Sequence, residues 1–266
     1  MPTRLHIYAG LLTLVNLLLY GVVGIATLWD RQHPAAPVVF ERAFTVQPGE
    51  SDRAIADRVV QLLGLSLATP VHAFAIGHDR AGRLVLDFYH VNGRHKVTFR
   101  DGQLQVEQTR ASLAGYLNTL HVTTGAFHSG DWRLQLWAWW NEFAMWCVAL
   151  MALTGIWIWW QRRGTPGLAR RTHRWTAMGA LALLAVYEIS AVQMAHRTWL
   201  PATVLNRIHR LRGLSFSPVL GLAILLLCAT GIWLWWCLKR ERTTGSALLA
   251  LGAFLAAGLI CWMRLG

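Results

Sequence analysis

The chain has 266 residues, of which 55% are hydrophobic and only 14% are charged. This composition leaves too few polar groups to cover a soluble globular protein, so it indicates an integral membrane protein. The net charge of +12 would also suit nucleic-acid binding, but the basic residues mostly flank apolar runs, where topology and anionic lipid headgroups account for them. We therefore expect the lipid bilayer, and no nucleic acid, as a partner.

The N-terminal region, residues 1–29, contains the first predicted membrane span at residues 7–28. This run is long enough to cross a hydrocarbon layer of ~30 Å. It ends in Leu28-Trp29-Asp30 rather than in the small residues of a cleavage site, which favours a retained anchor with a cytoplasmic N-terminus. Asn16, at mid-span, is expected to hydrogen-bond to another helix.

Residues 38–128 have the pattern of a small soluble α+β domain inserted between spans. A helix is predicted over 51–64, with Ser51 as N-cap and Gly64 as its stop. Alternating runs joined by turn sequences follow, and they predict a four-stranded antiparallel meander; the runs are 72–78, 83–90, 96–100 and 103–108. A second helix is predicted over 110–120, and no catalytic motif is visible in this domain.

The region 132–266 carries the remaining predicted spans, about 134–160, 175–195, 217–237 and 246–263. Lysine and arginine are more frequent in the loops that this arrangement places in the cytoplasm, which sets the N-terminus inside, the C-terminus outside and the soluble domain in the periplasm. The expected fold is thus an all-α membrane helical bundle of five transmembrane helices with an inserted α+β domain. The four cysteines lie in apolar runs without CxxC spacing and are interpreted as small buried hydrophobic residues.

One ending occurs twice, as TGIWIWWQRR from Thr154 and as TGIWLWWCLKR from Thr230. Each copy closes an apolar run with a tryptophan cluster and basic residues, which is typical of a helix that stops at a cytoplasmic surface. The repetition indicates an internal duplication, so that the bundle consists of two quasi-repeated halves.

Five histidines lie where a predicted span meets a membrane surface, His6 and His173 on the inner side and His128, His196 and His209 on the outer side. Alone, each would be interpreted as a snorkelling or capping residue. Related halves, however, bring His6 opposite His173 and His128 opposite His209, with His196 as a rival for the outer pair. Paired imidazoles across a bundle are what haem b ligation requires, so two haems are predicted.

Other polar residues near the spans have two interpretations each. Glu142 and Glu188 lie within apolar runs and are either proton-relay or cation sites, or protonated carboxyl groups with hydrogen-bonded neighbours. Arg207, Arg210 and Arg212 either bind haem propionates or an anionic iron chelate, or face lipid phosphates.

The motifs RLHIYAG, FHSG, TGIWIWWQRR, THRW and IHRLRG follow one another in this order around the helix-and-meander segment. In this the chain resembles the PepSY-associated transmembrane family of iron-regulated membrane proteins, which includes periplasmic ferric-siderophore reductases. The loop 196–216 is shorter than the second soluble insertion of longer members.

The resemblance implies a di-haem b protein of the bacterial inner membrane. Such a protein takes electrons from a cytoplasmic or quinol donor and reduces ferric iron in a siderophore or other chelate. The family's ligand histidines correspond to His6, His128, His173 and His209. Two alternatives from other classes are a non-catalytic PepSY module that binds or inhibits a periplasmic partner, and a transporter of iron or a chelate.

Overall fold

The computed structural model of the protein describes residues 1–26, 36–65, 67, 75–100, 102–123, 129–161, 167–195 and 216–265. Contacts divide the chain into one unit formed by Met1–Trp29 with Trp137–Gly266 and another formed by Asp30–Leu136. The helices are α1 (Pro2–Leu12), α2 (Leu14–Ala26), α3 (Asp52–Leu63), α4 (Leu113–Val122), α5 (Trp132–Gln161), α6 (Leu168–Ala195), α7 (Phe216–Trp236) and α8 (Arg242–Leu265). The strands are β1 (Val38–Ala43), β2 (Ile76–His78), β3 (Leu84–His90), β4 (Gly93–Arg100) and β5 (Gln103–Arg110).

The structure supports a helical membrane protein. In the described part of the chain, three helical segments are long and apolar enough to cross a membrane, namely Trp132–Gln161, Pro218–Trp236 and Lys239–Leu265. Three of the predicted spans, at 134–160, 217–237 and 246–263, correspond to these segments. The predicted span at 175–195 falls within α6, and most side chains in its second half lie outside the described residues.

The first predicted span differs from the expected single helix over 7–28. It begins at Pro2, where proline suits the first turn of a helix, and it bends by 59° between α1 and α2. The Thr13 hydroxyl donates to the Ala9 carbonyl oxygen at 2.8 Å, a contact that often bends helices. Helix α8 packs against the bend at Gly252, where a Cβ would lie 1.9 Å from the Leu12 carbonyl oxygen. The bent pair counts as a fourth candidate span if it crosses as one.

Small residues bring α2 and α7 into close contact. A Cβ added at Gly221 would lie 2.6 Å from the Gly21 carbonyl oxygen, and glycine at such a crossing allows two backbones to approach directly. A buried cluster joins α2, α6 and α7; it consists of Leu14, Ala180, Leu220, Ile224 and Cys228. All four cysteines are free, but only Cys147 and Cys228 are buried, so the expectation of burial was wrong for Cys237 and Cys261.

The expectation for Asn16 is confirmed by a buried polar network between α2 and α5. Asn16 donates to the Asn141 side-chain oxygen at 3.2 Å and accepts from the Trp140 indole at 2.7 Å. The Tyr20 hydroxyl also donates to Asn141, whose amide donates to the Trp137 carbonyl oxygen at 2.9 Å. Because burial without such partners would cost free energy, this network ties the second half of the bent span to α5.

The unit Asp30–Leu136, which we call the soluble unit after its predicted character, contains a five-stranded antiparallel sheet in the order β1-β5-β4-β3-β2. Strands β2 to β5 confirm the predicted meander, although β2 covers only Ile76–His78 of the run 72–78. Strand β1 was not predicted, because its sequence VVFERA lacks strict alternation and almost every residue in it is exposed at the sheet edge. Its register against β5 is set by backbone pairing, as between Val38 and Gln108.

The first helix of the soluble unit has its predicted caps, and the second, predicted over 110–120, is α4 at Leu113–Val122. Ser51 accepts from the Ala54 backbone N–H at 3.3 Å, and Gly64 ends α3 in the left-handed conformation with φ of 61°. Ser112 caps α4. Apolar side chains of α3 pack on one face of the sheet, and the fully buried members of this core include Val59, Leu86, Val97, Leu104 and Val106. Helix followed by meander is therefore a folded unit with its own core.

Candidate functional site

Two histidines from different helices face each other in the membrane unit. His6 lies in the second turn of α1 and His173 in the second turn of α6. Their ring centroids are 6.3 Å apart, and the ring planes are inclined by 81°. Both side chains are partly buried. The structure thus brings together the two residues that the sequence predicted as the inner pair.

His6 is held on α5 through its Nδ1 atom. Nδ1 lies 3.0 Å from the Met151 carbonyl oxygen and 3.1 Å from the Thr154 hydroxyl oxygen. The Thr154 hydroxyl uses its single hydrogen on the Leu150 carbonyl oxygen at 2.7 Å. Both neighbours of Nδ1 are therefore acceptors, so Nδ1 carries the proton and donates to them. A neutral histidine in this tautomer has its lone pair on Nε2.

His173 is held on α7 in the same manner. Its Nδ1 atom lies 2.8 Å from the Thr230 hydroxyl oxygen, and the imidazole also has a backbone hydrogen bond to Leu227. The Thr230 hydroxyl donates to the Leu226 carbonyl oxygen at 2.7 Å. The backbone partner stands three residues before the threonine, just as Met151 stands before Thr154. The His173 lone pair is therefore also on Nε2.

A glycine follows each of these threonines and lies against the imidazole. A Cβ built on Gly155 would be 3.4 Å from His6 Cε1, and one built on Gly231 would be 3.7 Å from His173 Cε1. Each imidazole thus packs against helix backbone at a glycine, where no side chain intervenes. We call each arrangement of threonine, glycine and imidazole a Thr-Gly cradle.

The role of these threonines and glycines was not predicted from the sequence. The repeated TG-I-W ending indicated a membrane stop and a duplication, whereas in the structure the Thr-Gly pairs contact the histidines. The signal was present, since a polar threonine within an apolar run was preserved in both copies at the same place.

The two imidazoles fit the donor set that a haem requires from the protein. The described part of the chain contains no group of three or more His, Cys, Asp or Glu side chains able to hold a metal. Two imidazoles do not complete a zinc site, which needs three or four protein ligands, whereas a haem needs only axial ligands from the protein. Two imidazoles that share one metal ion through bonds of about 2.0–2.1 Å have centroids roughly 6 Å apart, close to the separation of His6 and His173.

Charged and aromatic residues lie near the starts of α1, α6 and α8, at the same end of the helices as His6 and His173. Arg4 on α1 forms an ion pair with Glu241 at 2.9 Å, and the Tyr8 hydroxyl donates to the same carboxylate at 2.5 Å. These contacts fix the start of α1 next to the start of α8. The guanidinium of Arg174, the residue after His173, lies over the indole of Trp159 with 5.3 Å from Cζ to the ring centroid.

The soluble unit has a histidine pair of its own, which the sequence analysis did not single out. The Asn92 backbone N–H donates to His90 Nδ1 at 3.3 Å, so His90 Nε2 carries the hydrogen and donates to His95 Nδ1 at 2.9 Å. Burial, followed by the nearby charge of protonated His95, lowers the pKa of His90 to about 4. Burial also lowers the pKa of His95. Both are therefore neutral at physiological pH.

The other predicted site residues are not tested by this geometry. The predicted outer ligands and the arginines beside them lie outside the described residues; they are His128, His196, His209, Arg207, Arg210 and Arg212. Glu142 lies on α5 beside Asn141. Glu188 is in α6, but its side chain is outside the described part. The outer haem site and the proton relay stay predictions.

No family model, curated protein or solved structure matches this chain. The resemblance to PepSY-associated proteins thus rests on the motifs alone, and a function has to be inferred from the site's own geometry.

Proposed function

We propose that the protein is a membrane-bound b-type cytochrome that holds a haem between His6 and His173. One observation carries this proposal. Each imidazole is fixed through Nδ1 by a threonine, so both Nε2 lone pairs are available, and the rings stand at a separation suited to one shared metal ion.

The chain's own residues have distinct roles in this proposal. His6 and His173 would hold the haem iron through their Nε2 atoms. Thr154 and Thr230 set the tautomer and orientation of the rings, and hydrogen bonding at the second nitrogen raises the basicity of a ligating histidine. A bound haem supplies reversible one-electron transfer between ferric and ferrous iron.

The wider proposal follows the family resemblance. A second haem would be held by His128 with His209 or His196, near the opposite membrane surface. The bent pair α1–α2 and helices α5 to α8 would cross the bacterial inner membrane five times from a cytoplasmic N-terminus. Electrons from a cytoplasmic or quinol donor would then reach a ferric siderophore or other chelate in the periplasm, where the PepSY-like soluble unit lies.

Absorption spectra of the purified, detergent-solubilised protein test the inner site. We expect a Soret band and an α band of b type in the native protein. The double variant His6→Ala with His173→Ala should lose the part of the spectrum that belongs to the inner haem. His78→Ala, which changes an exposed histidine of the soluble unit, is the matched control and should leave the spectrum intact. A colourless native protein, or a double variant with the native spectrum, would refute the proposal.

Reoxidation kinetics test the acceptor. The chemically reduced protein should be reoxidised by a ferric siderophore faster than by the same siderophore loaded with gallium, which binds like ferric iron but accepts no electron under these conditions. Equal rates would exclude ferric-chelate reduction. A colourless protein whose soluble unit retains a periplasmic partner would favour the non-catalytic PepSY module, and flux of the chelate without redox change would favour a transporter.

A further inference from the structure

Arg174 connects the helix of one histidine with the helix that holds the other. It follows His173 on α6, and its guanidinium lies over Trp159 of α5. Trp159 stands five residues after Thr154, which is about 7.5 Å along a helix. The guanidinium is therefore held against α5 at Trp159, about 7.5 Å further along that helix than the threonine that contacts His6.

The Nε–H of Arg174 has no acceptor within the part of the chain that the structure describes, although this nitrogen is buried. Stacking on Trp159 orients the guanidinium but does not satisfy an N–H donor. Glu241, an acidic side chain between α7 and α8, is already bound by Arg4 and Tyr8. An arginine is always charged, and its planar fork of donors matches a carboxylate.

We propose that Arg174 binds a propionate carboxylate of the haem held by His6 and His173. This inference rests on the proposed function, because it needs that haem. A porphyrin between the two imidazoles reaches beyond its iron on every side, and its two propionates are its only anionic groups. A guanidinium on the residue after His173, with a buried Nε–H that lacks an acceptor among the described residues, would attract that edge of the ring and so give the haem one orientation.

Affinity for two forms of the cofactor tests this pairing. The apoprotein in detergent is titrated with iron protoporphyrin IX and with its dimethyl ester, in which both carboxylates are blocked, and binding is followed at the Soret band. Arg174→Gln should weaken binding of the free acid by roughly tenfold or more, since hydrogen bonds to charged groups are among the stronger ones. The same substitution should change binding of the ester less than twofold. Arg174→Lys should restore part of the loss.

The matched control is Arg171→Gln, which removes an exposed arginine one turn earlier on α6 and should leave both affinities unchanged. Arg174→Gln with native affinity for the free acid would overturn the inference, and so would an equal loss for acid and ester. In both outcomes the native protein still binds haem, so the proposed function stands. A native protein that binds neither form refutes the proposed function and this inference together.

Discussion

Replacing the threonine of either Thr-Gly cradle by valine should change the redox potential of the inner haem without displacing it. Thr154→Val and Thr230→Val keep the branched shape of the side chain and have similar helix propensity. Each removes the oxygen that accepts from a histidine Nδ1, at 3.1 Å for His6 and 2.8 Å for His173. Each imidazole keeps a backbone partner, so its orientation should be retained.

The direction and size of the shift follow from the lost hydrogen bond. A weaker acceptor at Nδ1 makes the imidazole a poorer electron donor and stabilises ferric iron less, so the midpoint potential should rise. A hydrogen bond contributes about 1 kcal/mol, and 1.36 kcal/mol corresponds to about 59 mV for one electron. Because only part of that energy differs between the two oxidation states, each variant should shift the potential upward by about 20–40 mV.

Spectroelectrochemical titration of the purified protein measures this shift. The control is Thr243→Val, at an exposed threonine of α8, and it should not move the potential. The double variant Thr154→Val with Thr230→Val should shift it by about the sum of the two. Unchanged or lowered potentials in both single variants, with the b-type spectrum retained, would refute the assignment of the threonines as acceptors for Nδ1–H.

Three further predictions concern stability. Gly252→Ala should strongly lower the thermal unfolding temperature in detergent, because the added Cβ would meet the Leu12 carbonyl oxygen and overpacking costs about 1–3 kcal/mol. The control is Gly258→Ala, where the added Cβ has open space. Equal effects of the two substitutions would contradict the close packing at Gly252. Ser51→Ala should destabilise α3 by about 1 kcal/mol, seen as faster hydrogen exchange in that helix but not in α4. The folded protein keeps His90 neutral, with a pKa of about 4 against about 6.5 in the unfolded chain. The free energy of unfolding of the soluble unit should therefore fall by up to roughly 3 kcal/mol as the pH drops from about 6.5 to 4. His90→Gln should flatten this pH dependence, and an unchanged slope would refute the role of His90.

The sequence predicted the local structure of the soluble unit because its signals are local. Ser51 and Gly64 are caps whose effect depends on neighbouring backbone, and the Asn92-Gly93 turn joins two strands directly. Strand β1 was missed because its place depends on β5, whose paired residues are 60 to 70 positions away in the chain. Edge pairing of this kind leaves no periodic pattern in the strand itself.

For the candidate site, the sequence predicted the pair and missed what holds it. His6 and His173 stood out because imidazoles are unusual at the ends of apolar runs, and the duplication related them. The bend at Thr13 was not predicted, because the local hydrogen bond from Thr13 to Ala9 is a weak signal in the sequence and the packing of Gly252 against Leu12 joins distant segments. The same holds for the hydrogen bonds of Thr154 and Thr230, which require knowing which helix faces which.

The two halves are equivalent where they hold the imidazoles and different around them. Each Thr-Gly cradle offers the same acceptors at the same offsets, so His6 and His173 present like donors to a shared ligand. The next residue differs, however, because Ile7 follows His6 whereas Arg174 follows His173. A flat cofactor with one anionic edge would meet a symmetric pair of ligands within an asymmetric distribution of charge. In the proposed site, the duplication would account for the two matching ligands, and the departure from it would account for a single orientation of the ring.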